Sequence, residues 1–327
     1  MLRATISVLA ILAGSVNLSA EVKVEKTSYK GWQNCYRVSN GQIELIVTGD
    51  VGPRIIRLGF AGGQNLLKEF PGQLGKSGET KFQLRGGDRV WKAPEDPIAT
   101  WAPDNVPVQI TPTPSGLIAR APVEPLTSLQ KEIEVSMSAS ANEITVTHRI
   151  TNRSLFPLEF AAWALTMMAP GGLEIVSFPP RGHHPANLEA TNPLTMWAYT
   201  NLSDSRWKFT RKYLMLKQDP NNPDPQKLGT FNPNTWAAYL LNGEVFVKRA
   251  KAEPDKTYTD FGCSLETFTN NEFLEIETLS AMTKVAPGQT VENVERWSLH
   301  RNVTLPEITD DAIDAAILPL AQSWSGH

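Results

Sequence analysis

From residue 21 to about residue 300, apolar residues recur at every second position, a spacing that fits strands with one buried face and does not fit helices. In GQIELIVTGDVGPRIIRLGF, residues 41 to 60, Ile43, Leu45 and Val47 alternate with polar neighbours. Gly49 to Pro53 then make a turn, and Arg54 to Phe60 resume a strand. In SLQKEIEVSMSASANEITVTHRITN, residues 128 to 152, Leu129, Ile133, Val135 and Met137 share one face. Beyond the link at Ala139 to Asn142, Ile144, Val146, His148 and Ile150 share another, which predicts a long antiparallel hairpin. Further strands are predicted at Leu158 to Met168, Glu244 to Ala250, Phe273 to Ala281 and Val291 to Leu299, with Ala286 to Gln289 turning between the last two.

One short helix is predicted, at the C-terminal end. Thr309 caps it, Asp310 and Asp311 sit in its first turn where the helix dipole favours them, and Ile313, Ile317 and Leu320 follow at helical spacing. Residues 180 to 235, rich in Pro and Asn, read as irregular loops. The chain has 327 residues and shows no repeat or linker, so the expectation is an all-β fold, one antiparallel sandwich domain over residues 21 to 327.

Residues 1 to 20 stand apart. Arg3 precedes a short apolar run from Ile6 to Ala13, and small residues lead to Ala20, the pattern of a secretory signal peptide or, if it is retained, of an anchor. The expected location of the mature protein is periplasmic or secreted, and no later segment is apolar enough to span a bilayer. A net charge of -3 gives no electrostatic basis for nucleic acid or an anionic membrane as the main partner. Cys35 and Cys263 are the two cysteines; an oxidising compartment allows them to pair, and two separately buried thiols are the alternative.

Phosphate loops, a nucleophile elbow and H-E-x-x-H are all absent from the sequence. His183 and His184 lie in a Pro-rich stretch, and Asp219 to Asp224 lacks a spaced acidic pattern, so neither a metal nor a cofactor is expected. The unusual stretch is LRGGDRVWKAPED, residues 84 to 96. Arg85, Asp88, Arg89, Lys92 and Glu95 surround Trp91, and the diglycine permits a sharp turn or a close approach to a ligand. TWAPDN follows, with Trp101, Asp104 and Asn105. Flat aromatic faces beside carboxylates, amides and guanidinium groups suit a sugar ring with its hydroxyls; an ion-pair network closing one end of the sandwich is the structural alternative. Glu275 and Glu277, two apart on one predicted strand, face the same side, where mutual repulsion raises a carboxyl pKa towards the range of a general base unless both are paired.

The ordered motifs VTGDVGPRIIRLGF, LRGGDRVWKAPEDP, TWAPDNVPV, WAYTNLSDSRW, KLGTFN and FLEIETLSAMTKVAPGQTVENVERWSL resemble an uncharacterised, often exported bacterial domain-of-unknown-function family. More distantly, they are similar to the galactose mutarotase-like proteins, the aldose 1-epimerases among them. That resemblance implies a β-supersandwich whose concave face binds a sugar. It implies Glu277 as the base that removes the anomeric hydroxyl proton, with Glu275 as the alternative, and Arg89 and Trp91 as sugar contacts. Where the epimerases carry an acid His after the ITNRSLFPLEF hairpin, this chain reads AAWALTMM, with Trp163 near that point and no His between Ser154 and Gly172. His183, His184 or Lys227 would then have to donate the proton.

The expected site therefore comprises Glu277, Lys227 and His183 for chemistry, with Arg85, Arg89, Trp91, Glu95, Asp104, Asn105, Trp163 and Glu275 as contacts to a small sugar or an oligosaccharide. An epimerase-like enzyme, a non-catalytic sugar-recognition protein and an envelope interaction module remain as three readings of it.

Overall fold

Two large antiparallel sheets lie face to face in a computed structural model that describes residues 21–324; the expected signal peptide falls outside the described residues. One sheet has 11 strands and the other 10. The alternating segments form strands close to where the period places them. Arg54–Phe60 matches its expected bounds, Leu129–Met137 pairs with Glu143–Asn152 across the expected link, and Thr290–Arg301 runs slightly past both expected ends. Ile133, Val135, Val146 and Ile150 are fully buried between the sheets, and each such side chain contributes about 1.5–3 kcal/mol relative to exposure.

Five neighbouring strands of the larger sheet position the site. In order across the sheet they are Asp88–Ala93, Leu158–Met168, Leu274–Leu279, Leu265–Thr269 and Gln226–Thr230. Residues directly paired across antiparallel strands point to the same face, so the register sorts this region into two surfaces. Val90, Ala162, Ile276, Leu265 and Leu228 face inward and join the main core. Arg89, Trp91, Trp163, Leu165, Glu275, Glu277, Glu266 and Lys227 face the other way.

Two expectations are corrected. The segment expected to be irregular carries four strands, Leu194–Met196, Trp207–Phe209, Tyr213–Lys217 and Gln226–Thr230, too short for a period to show between their prolines and asparagines. The C-terminal helix is two short helices, Asp310–Ala316 and Leu318–Gln322, because Pro319 in the first turn of the second restarts the ladder. Thr309 caps the first, accepting from the Ala312 amide at 3.2 Å. Ile313, Ile317 and Ala321 pack on the outer face of the 10-stranded sheet against Trp236, Val245 and Val247.

Cys35 and Cys263 are free thiols, each buried in a different place. Cys35 packs among Trp32, Ile46, Val51 and Ile56. Cys263 lies over Gly229, where a β-carbon would stand 2.5 Å from its sulfur.

Candidate functional site

Arg89 and Glu277 both pair with Leu165, from its two sides, so they flank one strand on one face. Two strand spacings separate their backbones by about 10 Å. Glu277 pairs in turn with Glu266, and Glu275 with Phe268, which pairs with Lys227. Three carboxylates and two cations therefore collect on a single surface.

Lys227 is the hub. Its ammonium lies 2.8 Å from Glu266 Oε2 and 2.8 Å from Glu277 Oε2, and 4.7 Å from the ring centres of both Trp163 and Trp197. Expected in a loop, it sits instead in the middle of a strand with its side chain buried. Burial disfavours its charge, but Glu266 and Glu277 outweigh that and hold its pKa well above the ordinary lysine value. Glu277 Oε2 also accepts from Trp163 Nε1 at 2.9 Å. Trp163 thus occupies the neighbourhood where a His was sought and donates an indole N–H to the Glu277 carboxylate there.

A second pair adjoins the first. Arg89 Nη2 meets Glu275 Oε1 at 3.2 Å, and its guanidinium stacks 4.2 Å above the ring of Trp91. Burial pushes the Glu275 carboxyl up to about 7, with Arg89 pulling the other way and Glu277 adding to the rise. Burial likewise pushes Glu266 well above the ordinary carboxylate range in spite of Lys227, and its Oε1 is buried without a hydrogen-bond partner. Three carboxylates thus face two cations on this surface.

Aromatic rings cover this charged floor. Trp91 packs edge-on against Trp163 at 5.6 Å and stacks with Trp101 at 6.4 Å, and Phe82 touches both Trp91 and Trp101. Trp101 and Tyr199 are 48% and 41% exposed, so the rim is open to solvent while the carboxylates below it are not. Glu95 belongs to the rim: it is exposed and accepts from Trp101 Nε1 at 3.0 Å. Gly229 sits beside Lys227, and a β-carbon there would come within 3.2 Å of Trp197, so its lack of a side chain leaves room for that ring above the ammonium.

The remaining expected residues serve the fold. Arg85 donates to Asn105 Oδ1 at 2.9 Å and pairs with Glu79, while Asp104 pairs with Arg54 at 2.7 Å. Arg85, Asp104 and Asn105 thus tie the segment between residues 73 and 105 to the sheet, the structural alternative raised for this stretch. Gly86 and Gly87, at φ +78° and +72°, approach backbone rather than ligand: a β-carbon on either would fall about 2 Å from the carbonyl oxygen of Lys68 or Ile55. His183 and His184 are exposed in a turn where the His183 amide donates to Asn187 Oδ1, and no described hydrogen bond or ion pair joins them to the Glu277 cluster.

Glu266, Trp197 and Tyr199 were not singled out from the sequence. A signal for Glu266 was present: in LETFTNNEFLEIETL the hairpin turns at Asn270 to Glu272, and counting outward from there pairs residue 266 with residue 277. Trp197 and Tyr199 come from a segment whose path the sequence does not reveal.

One group could be considered for a metal. Asp88, His148 and Glu295 each place an atom within 4.8 Å of the others in the sealed interior between the sheets. That space already holds its own cation. Lys248 pairs with Glu295 at 2.7 Å and donates to Thr166 Oγ1 at 2.9 Å, while Asp88 accepts from Thr166 Oγ1 and bonds His148 Nε2, both at 2.7 Å. The arrangement is an internal charge network in which His148 Nδ1 alone has no hydrogen-bond partner among the described residues.

No family model matches the chain, and no curated protein matches it. Solved structures do. A putative aldose 1-epimerase from Klebsiella pneumoniae superposes with a TM-score of 0.56 at 12% identity, over 92% of this chain and 86% of that one. A galactose mutarotase-like protein from Lactobacillus casei gives 0.52 at 11% identity, over 82% and 100%. A galactose mutarotase related enzyme from Lactobacillus acidophilus gives 0.52 at 10%, over 82% and 98%. The chain has the galactose mutarotase-like sandwich fold; at these identities the likeness is one of fold.

Proposed function

We propose that this protein is an exported sugar-binding protein that uses the cluster of Arg89, Lys227, Glu266, Glu275 and Glu277 for proton transfer at the anomeric carbon or a carbon next to it. The observation that carries the proposal is the stack of two layers on one sheet face: a half-exposed aromatic rim above the buried carboxylates of Glu266, Glu275 and Glu277. A pyranose ring laid on Trp101 and Tyr199 would direct its hydroxyls down to that floor. The pair Glu275 and Glu277 is the proton acceptor, with Glu275 the member poised near neutrality. Lys227, charged and held between two carboxylates, donates a hydrogen bond to a sugar oxygen. Of the three donors considered, His183, His184 and Lys227, it is the one with described ion pairs to the cluster. Location outside the cytoplasm belongs to the same proposal and rests on the N-terminal sequence.

A second reading, a sugar-recognition protein without turnover, is favoured by one observation. Each carboxylate of the floor already has a cation partner, and Glu277 Oε2 takes two donors at once. Magnetic resonance on the purified protein with a panel of monosaccharides separates the two, reading saturation transfer and anomeric exchange in the same samples. Accelerated exchange that disappears in Glu275→Gln or Glu277→Gln, with binding retained, is the expected result. Binding without acceleration selects the recognition protein, and no binding by any sugar removes both.

A further inference from the structure

A large cleft lies away from this cluster. It has a volume of about 1150 Å³ and opens on the outer face of the 10-stranded sheet, bounded by the C-terminal helices and by the loop that follows Ser177. It exceeds the roughly 300–1,000 Å³ typical of sites for one small molecule.

Its charges are not balanced. Among the cations that line it, Lys212 is committed to Asp314, and Arg249 donates to the carbonyl oxygens of Leu320 and Ser323 at the end of the last helix. Of the acids, Glu292 is committed to Arg149. Four cations remain without a carboxylate partner among the described residues: Arg181, Arg211, Lys251 and Arg296. Arg181 lies over the ring of Phe178 at 4.4 Å, Arg296 over that of Trp324 at 5.4 Å, and Arg211 spends one donor on Gly182 O. Against them stands Glu253, in a protein whose net charge is -3. Four cations without a carboxylate partner among the described residues, gathered in one cleft of an acidic protein, constitute a field for anions.

We infer that this cleft binds an oligosaccharide carrying several negative charges, carboxylate or sulfate. Guanidinium groups positioned over aromatic rings present forked donors to such oxoanions. Trp236 and Trp324, both in the lining, offer apolar surface to ring C–H groups, and Asn234 and Thr283 offer neutral partners to hydroxyls. The cations lie on both walls, on the loop side and on the sheet, so a ligand that engages all of them carries charge at more than one place along its length. The cleft lies chiefly on the opposite sheet from Glu277, reaching the other one at Ser280, Ala281 and Thr283, and its cations are not those of the Glu277 cluster, so it does not depend on the function proposed there.

The test is calorimetric titration of the purified protein with trigalacturonate and with a chondroitin sulfate tetrasaccharide. Arg211→Gln/Arg296→Gln and Lys251→Glu serve as two independent variants, and thermal melts confirm that each is folded. Expected is binding of at least one probe that weakens about tenfold or more in each variant and falls as salt rises. Which probe binds tighter identifies carboxylate or sulfate as the charge. Absence of binding by both probes, affinity unchanged in both variants, or displacement by tripolyphosphate or single-stranded DNA at higher affinity than either probe overturns the assignment.

Discussion

Lys227 Nζ stands 2.8 Å from Glu277 Oε2 and at the same distance from Glu266 Oε2, a buried cation shared by carboxylates of two adjacent strands. Removing the cation leaves buried negative charge without compensation, whereas neutralising one carboxylate leaves the other pair intact. Lys227→Met is therefore expected to lower unfolding free energy by roughly 3–5 kcal/mol and Glu266→Gln by clearly less. Urea unfolding at neutral pH checks both, and an equal loss in the two variants would contradict the shared arrangement. Since the pKa of Lys227 is raised on folding, this contribution is present at every pH below the ordinary lysine range and fades only in strong alkali.

Glu275 titrates under a reporter. Its carboxyl, pushed up to about 7, faces Arg89, whose guanidinium covers Trp91. Tryptophan fluorescence followed from pH 5 to pH 9 is expected to show a transition near 7 that Glu275→Gln abolishes. The folded pKa lies above the unfolded one, so ionising Glu275 costs stability progressively as pH rises from its ordinary carboxylate value to about 7; the Gln variant escapes that loss.

Glu174 is a buried acid outside the proposed site. It accepts a hydrogen bond from Thr267 Oγ1, its Oε1 has no partner, and burial pushes its pKa up to about 8. Between the ordinary carboxylate range and pH 8 the folded state progressively loses stability in giving up this proton. Glu174→Gln should be nearly neutral at pH 5 and stabilising by about 1–3 kcal/mol at pH 8. Melting temperatures at the two values of pH test this, and a variant destabilised at both would show that the carboxylate is needed in its charged form.

The two thiols should be inert in the folded protein. Burial pushes Cys35 up to about 11 and Cys263 up to about 12, so the reactive thiolate is scarce at neutral pH. Maleimide labelling followed by mass spectrometry should find neither cysteine modified in native protein and both modified after denaturation without reductant. Labelling that required a reductant would reveal a disulfide.

The architecture was legible wherever a strand was long enough to repeat its period. Leu129–Met137 carries four apolar residues on one face and Glu143–Asn152 three with His148 between them, and their register follows from the link between the strands. Gln226–Thr230 has only five residues flanked by Pro and Asn, and its most important side chain is polar, so nothing local marks Lys227 as buried. The diglycine was noticed for the right reason, but a sequence does not tell whether backbone or ligand is the close neighbour. Glu275 and Glu277 were legible as a pair because spacing of two is itself structural information. Trp163 was found only by looking for a His that is not there, and Trp197 depends on how distant segments fold back over the sheet.

The strand Leu158–Met168 serves two masters, since Trp163 reaches outward to Glu277 while Thr166 reaches inward to Asp88 and Lys248. A slip of this strand by one residue would exchange its faces, taking Trp163 away from Glu277 into the core and turning Thr166 away from Asp88 and Lys248. Every incorrect alignment of this sheet is therefore heavily penalised in charge as well as in packing. The polar residues act as a proofreading device for register: a chain that reaches the native alignment of its sandwich has, in the same step, assembled the acidic floor.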